Sequence, residues 1–328
     1  MRYARQEVLE LIGKEGQAEL AKKIALIVGA GATGSVAAEL LVRAGVSVKI
    51  IDKDIVDVTN LQRQALYTEE DVNRPKAEAL KKHLERINST VKVEAMTTQL
   101  DTQTIKDLEA DILLDCTDHQ DTRFLINEYC MKNSISWIHS AALKEKGEVL
   151  TVIPGKTACF RCVMGDAAQG ERCEEAGILN SASHVVAALQ ANEAIKVLLG
   201  KKYDDDLLRV DVWNNTIEHI KTRKYGSCKV CRGEYALLDE KKEDVKYLVT
   251  MCKRKAAMAA KPIRHMSLDF DKLKSKYEVV LDTPILLVLR ADDEVIVYKH
   301  GEILFKTMTD EDKVRKAADK IYEVAACT

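Results

Sequence analysis

Nowhere in its 328 residues does the chain hold eighteen consecutive apolar residues, and that argues against a membrane-spanning helix. Charge of one sign is lacking too. Fifty Lys and Arg against 52 Asp and Glu leave a formal net charge of -2, which gives no support to a polyanion-binding surface. No membrane or direct nucleic-acid partner is therefore expected. Met1 to Leu9 place Arg2, Arg5 and Glu7 among their apolar residues, so the apolar core of a signal peptide is missing and the expected location is cytoplasmic. No internal repeat or low-complexity tract is evident. The nine cysteines are an odd number without a secretion signal, which does not suggest a disulfide framework.

What is present begins with a βαβ opening. Residues 22–34, KKIALIVGAGATG, run from an apolar strand into a glycine turn; Ser35 to Ala44 read as a helix and Val46 to Asp52 as a second strand. Short apolar strands of this kind are expected where helices cover both faces of a sheet. Arg74 to Ile87 read as a helix with Pro75 in its first turn. Further strands are predicted at Val91–Met96, Ile112–Cys116, Ile135–His139 and Val149–Ile153, with helices at Thr102–Leu108 and Arg123–Lys132 between them. Ser181 to Leu199 read as a long apolar helix, followed by a hairpin around Asn214 and Asn215. The expected architecture is α/β, a Rossmann-like doubly wound, mostly parallel sheet with an extension. A boundary near Gly233 divides a domain of residues 1–233 from a small α+β domain of residues 234–328. In the latter, strands are predicted at Ile285–Leu289, Glu294–Lys299 and Glu302–Lys306, with a terminal helix over Glu311–Val324.

Gly29, Gly31 and Gly34 take the first, third and sixth places of GxGxxG. The pattern suits a tight turn whose amides and helix terminus face phosphate, or a tight structural turn. Asp52 stands at the end of the second strand, where a carboxylate accepts ribose hydroxyls. The first expectation from such a loop is NAD. Asn60, Arg63, Gln64 and Lys76 beyond it suit a triphosphate better, although Arg63 and Lys76 taken alone read equally as solvated charges.

Several ordered motifs then converge: RYARQ at 2–6, the glycine loop, DKDIVDVTNLQRQ at 52–64, NRPK at 73–76, DCTD at 115–118, two CxxC pairs and CEEAGIL at 173–179. Over Arg2 to about Gly233 the chain resembles the ubiquitin-activating-enzyme-like adenylating family (ThiF, MoeB and HesA type), in its bacterial and archaeal sulfur-carrier-activating branch. The resemblance implies ATP-dependent adenylation of the C-terminal Gly-Gly carboxylate of a ubiquitin-like or sulfur-carrier protein. It implies that Asp52 holds the ribose, that Arg63, Gln64 and Lys76 bind phosphates with Asn60 beside them, and that Asp118 holds Mg²⁺. It also implies a homodimer in which Arg5 reaches the partner's ATP site. Two departures stand out: Ala32 where many relatives have glycine, and His119 where the family often has asparagine. The rival readings are a related enzyme acting on a small carboxylate or in tRNA modification, and a catalytically idle nucleotide-binding scaffold.

Cys159, Cys162, Cys228 and Cys231 form the two CxxC pairs. Four thiolates suit a structural Zn²⁺ or an iron-sulfur cluster, and the resemblance implies zinc, which would staple the extension to the sheet. Cys173 stands apart in a polar segment. Taken bare it is either incidental or reactive; the resemblance implies thioester or persulfide chemistry there. The C-terminal part lacks a rhodanese-type cysteine loop, so a separate sulfur donor is expected.

Overall fold

Two helices that the sequence pattern does not announce, α1 (Ala4–Glu7) and α2 (Gly13–Leu20), lead into β1 (Ile24–Val28). The first buries nothing and the second buries only Gln17 and Leu20, so neither carries an apolar stripe to read. The computed structural model describes residues 2–165, 176–239, 247–252, 257–262, 267–283, 285–290 and 294–325. The chain divides into two compact units, Met1–Glu240 and Lys241–Thr328.

In the first unit β1 is the central strand. Ala25 and Ile27 enter one apolar cluster while Leu26 and Val28 enter another, the period-two division that makes a strand covered on both faces read as a continuous apolar run. Helices α3 (Ala32–Ala44) and α4 (Lys76–Ile87) contribute Leu41, Val42, Leu80 and Leu84 to the first cluster. Helix α5 (Gln120–Asn133) contributes Phe124, Ile126 and Tyr129 to the second. Fully burying one such side chain is worth about 1.5–3 kcal/mol. The strands β2 (Ser47–Ile51) and β4 (Ile112–Asp115) flank β1 in parallel, with Ile27 opposite Ile50 on one side and Leu114 on the other. Outside these lie β3 (Val93–Met96) and β5 (Ser136–Leu143), also parallel.

The sheet order β3-β2-β1-β4-β5-β6-β7-β8 reverses direction of travel at β1, so a crevice opens at the carboxyl ends of β1 and β4. Beyond β5 the sheet turns antiparallel through β6 (Lys146–Val152), β7 (Leu207–Asp211) and β8 (Thr216–Ile220). Four of the seven pairings are thus parallel. The short helix α6 (Phe160–Met164) carries the first CxxC pair, and α7 (Asn180–Leu198) covers the antiparallel half, its Val186 packed where a side chain at Gly147 would stand.

Several boundaries differ from expectation. The predicted strands at 135–139 and 149–153 are longer and form one hairpin, in which Leu143 opposes Lys146. Its tight turn passes through Lys144 at φ 56 without a glycine, so nothing local signals it. The segment predicted helical over 102–108 holds a 3-10 turn, Thr104–Asp107. The hairpin at Asn214 and Asn215 is present: Asp211 accepts the Asn214 amide at 3.0 Å, and Asn215 takes the left-handed φ of 55°.

Helix α8 (Ala236–Asp239) ends the first unit, held by Glu128, whose Oε2 accepts the Leu237 amide at 2.8 Å. The second unit is a six-stranded antiparallel sheet, order β11-β12-β13-β14-β10-β9, running through β9 (Tyr247–Cys252), β10 (Ala257–Pro262), β11 (Glu278–Asp282), β12 (Leu286–Arg290), β13 (Glu294–Tyr298) and β14 (Ile303–Phe305). Its helices are α9 (Phe270–Lys276) and α10 (Glu311–Ala325). Val314, Ala318, Ile321, Tyr322 and Ala325 make the buried stripe of α10 at helical spacing. They pack on Leu287, Val295, Val297, Ile303 and Phe305.

Candidate functional site

The turn after β1 cannot be built with side chains. Gly29 has φ 93, and a Cβ on it would lie 2.6 Å from the Cys116 carbonyl oxygen; a Cβ on Gly34 would lie 1.8 Å from that of Gly29. Gly31 is different: the nearest atom to its added Cβ is Gln64 Nε2 at 3.7 Å, so its bare side faces open space. It is the N-cap of α3 and provides no side-chain cap, as Gly must. The first-turn amides of a thirteen-residue helix therefore point, with the positive end of its dipole, into the crevice.

A cleft of about 460 Å³ opens there. Of the residues singled out from sequence, Gly29, Gly31, Asp52, Asn60, Arg63, Gln64, Lys76 and Asp118 all line it, and so do Ala32 and His119. Gly34 lies beneath, in the first turn of α3. Arg5 sits on α1, exposed, and is not among the residues lining this cleft. Cys173 lies outside the described residues, as does Cys327.

Asp52 accepts the Ala30 amide at 2.6 Å through Oδ2 and the Asp54 amide at 2.7 Å through Oδ1, which fixes its carboxylate at the mouth of the turn. Desolvation raises its carboxyl above the usual range, against the lowering effect of Lys76. Lys76, the first residue of α4, is buried with its Nζ 3.6 Å from Asp54 Oδ2. Arg63 Nη1 donates to the Thr59 carbonyl at 3.0 Å, and Asn60 Oδ1 accepts the Asp57 amide at 3.2 Å, so a capped 3-10 turn aims both side chains. Gln64 is 3% exposed, yet its Oε1 has no hydrogen-bond partner among the described residues. A buried acceptor of this kind is satisfied by a donor from water or from a ligand.

Across the cleft, Asp118 follows β4 and faces the ring of His119, Oδ1 to Nδ1 at 3.1 Å. The bond from His119 draws the Asp118 carboxyl down to about 2. An exposed carboxylate held ionised is a suitable hard oxygen ligand for a cation such as Mg²⁺. Sequence reasoning missed the second layer. Tyr67 gives its hydroxyl to the Ala30 carbonyl at 2.7 Å, with the Lys76 carbonyl at 3.2 Å. Arg123 and Thr117 line the cleft as well, and Asp115 beneath them was visible in the DCTD motif without any sign of its role.

The four paired cysteines converge at the far side of α5. Cys159 N-caps α6 and Cys162 lies within it, while Cys228 precedes the 3-10 turn Val230–Arg232 and Cys231 is the middle residue of that turn. Their sulfurs all lie within 4.8 Å of one another, with Cys159 to Cys228 at 3.7 Å and Cys162 to Cys231 at 3.6 Å. Zn–S bonds of about 2.3 Å in a tetrahedron put sulfurs roughly 3.8 Å apart, so the spacing fits zinc. Asn127 Oδ1 accepts the Phe160 amide at 2.9 Å and the Tyr225 amide reaches Cys162 Sγ at 3.4 Å, bonds that hold the two knuckles in place.

Comparison with known proteins bears on the family and the fold. The model of the ThiF family matches residues 3–230. The chain is 34% identical over 324 residues to the sulfur carrier protein ThiS adenylyltransferase of Bacillus subtilis, covering 94% of this chain and 95% of that protein. It is 32% identical over 255 residues to the SAMP-activating enzyme E1 of Haloferax volcanii, covering 75% and 93% respectively. Among solved structures, E. coli MccB with ATP shares the fold, with a TM-score of 0.63 at 24% identity, covering 71% of this chain and 75% of that one. The chain belongs to the ThiF family of E1-like adenylyltransferases.

Proposed function

We propose that the chain uses ATP to adenylate the C-terminal Gly-Gly carboxylate of a ubiquitin-like or sulfur-carrier protein, releasing pyrophosphate. One observation carries the reading: the uncapped α3 N-terminus, the Gln64 amide, and the cations Arg63 and Lys76 meet in a single cleft with Asp118 opposite. In this reading Asp52 takes the ribose hydroxyls, and Asn60, Arg63, Gln64 and Lys76 take the phosphates.

A carboxylate oxygen attacks the α-phosphorus, the bond from that phosphorus to its bridge oxygen breaks, and pyrophosphate leaves with the electron pair. The carboxylate is already ionised at neutral pH, so no side chain need act as base. Charge is the obstacle, and Arg63 and Lys76 offset it most as the leaving group develops. Mg²⁺ held by Asp118 would supply further neutralisation of phosphoryl oxygens. Arg5, exposed on α1, is assigned to the cleft of a second copy, which makes the working unit a homodimer. The zinc staple at Cys159, Cys162, Cys228 and Cys231 belongs with residues 1–233 as the adenylation domain, leaving 234–328 as an accessory domain. Cys173 is assigned the step after adenylation, in which its thiolate either displaces AMP to form a thioester or takes sulfane sulfur from a separate persulfide donor whose thiolate leaves, and the cytoplasm is the assigned location.

Pyrophosphate–ATP exchange by the purified chain tests this. Exchange that depends on a carrier ending in Gly-Gly is expected. Exchange driven by small carboxylates alone would replace the carrier with a small acid, and none with any candidate would leave a nucleotide-binding scaffold.

A further inference from the structure

Asp115, the last residue of β4, is fully buried and holds the loop that carries Asp118. Its Oδ1 accepts the Thr117 amide at 3.0 Å and the Thr117 hydroxyl at 2.7 Å. Arg123, in the first turn of α5, donates from Nη2 to the Thr117 carbonyl at 2.5 Å and sets its Nε 3.4 Å from Asp115 Oδ2. Thr117 thereby has amide, hydroxyl and carbonyl all engaged, and Asp118 is the next residue.

The remaining oxygen of Asp115, Oδ2, meets His139 Nδ1 at 2.7 Å. His139 stands opposite Asp115 in the β4–β5 register and has no solvent exposure. Its neighbours along the strand, Trp137 and Ile138, are fully buried, and its ring centroid lies 4.8 Å from that of Phe160. On the other side its Nε2 faces Glu148 Oε1 at 3.4 Å. Arg209 opposes Glu148 across β6 and β7, so the charges around the imidazole are Asp115, Arg123, Glu148 and, one strand further, Arg209. Burying an imidazole among aromatic side chains is costly, and the sheet would close equally well on an apolar residue. Both ring nitrogens are directed at carboxylates.

We propose that His139 is a positioning residue for adenylation: by fixing Oδ2 of Asp115 it fixes the plane of that carboxylate, hence Thr117, and hence the place of Asp118 in the cleft. Glu148 orients the ring from behind. The proposal rests on the adenylation reading for its effect on rate, but its structural claim concerns the loop alone.

Three substitutions separate geometry from mere packing. An asparagine amide can replace the Nδ1 donor, a glutamine amide reaches to the Nε2 position, and leucine offers neither. His139→Asn should keep the exchange rate within about threefold of wild type. His139→Gln and His139→Leu should lower kcat about 100-fold, the cost of a misplacement of roughly 1 Å, with KM for ATP moved less than about threefold. Amide hydrogen exchange over residues 115–119 gives a second readout that needs no turnover. It should quicken in the Gln and Leu variants and stay slow in the Asn variant. If the Leu variant fails to fold, the Asn and Gln pair alone decides. Equal protection of this segment and equal rates in the folded variants would overturn the proposal. A wild-type chain inert with every carrier would instead sink the adenylation reading, and the hydrogen-exchange comparison would still judge the role of His139.

Discussion

The Tyr67 hydroxyl donates to the Ala30 carbonyl at 2.7 Å, tying the glycine turn to the segment that leads into α4. With the Lys76 carbonyl 3.2 Å from the same oxygen, one buried phenol braces two walls of the nucleotide cleft. Tyr67→Phe keeps the ring and removes the donor to the Ala30 carbonyl. Stability should fall by about 1–2 kcal/mol, and KM for ATP should rise several-fold while kcat changes little. Denaturant unfolding and exchange kinetics on the same preparation check both; an unchanged KM would deny the brace any part in binding.

Glycines in one turn should respond in opposite ways. Gly34→Ala places a methyl group 1.8 Å from a backbone oxygen that has no rotamer to yield, so the first turn of α3 must move. A loss of about 3 kcal/mol or more is expected, at the upper end of ordinary overpacking. Gly31→Ala has open space and should fold normally but bind ATP more weakly, because its methyl enters the ligand's volume. Thermal unfolding and calorimetric titration with ATP distinguish the two, and equal stability losses would refute the distinction.

Asp118 and His119 set a pH dependence whose sign follows from their 3.1 Å contact. The Asp118 carboxyl is lowered to about 2, chiefly by the bond from His119, and that bond raises His119 above its ordinary value of 6.5. The stabilisation from Asp118 is present above the unfolded carboxylate range and lost as pH falls through about 2. That from His119 is present below 6.5 and lost as pH rises through its higher folded value. Both side chains are well exposed, at 67% and 49%, so water screens the pair and the titration itself is the better observable. Carbon-detected NMR of magnesium-free protein should find Asp118 titrating near pH 2, and His119→Asn should return it towards the usual range. A titration that ignores the substitution would rule His119 out as the cause.

Metal removal should damage the fold before it damages the chemistry. One zinc ion per chain is expected by elemental analysis, lost in Cys228→Ser. The unfolding temperature should drop by about 10 °C, as ligand free energy of several kcal/mol disappears from the native state. A metal-free chain that melts with the wild type would show the four sulfurs to be mere neighbours.

Much of the cleft was legible because its chemistry is local. Gly29 to Gly34, Asp52, Asn60 to Gln64, Lys76 and Asp118 each stand in a short motif at a strand or helix end, where residue type and conformation constrain each other. The support beneath was not. Asp115, His139 and Glu148 come together only through the registers of β4, β5 and β6, and the β5–β6 hairpin turns on Lys144, a residue with no turn signature. Arg5 stands on α1 outside the cleft of its own chain, so no local pattern joins it to the site. In the second unit, β12, β13, β14 and α10 were readable as strands and a terminal helix. The strands β9, β10 and β11 were not: β11 is broken by a register shift between Val279 and Leu281.

Phe160 stands between Cys159 and Cys162, and its ring rests on His139. The metal knuckle and the nucleotide cleft are therefore separated by a short chain of packed groups, Phe160 to His139 to Asp115 to Thr117. Two sites joined in this way obey reciprocity. Whatever factor, above or below one, an ion on the four thiolates imposes on nucleotide affinity, bound nucleotide must impose on the affinity for the ion.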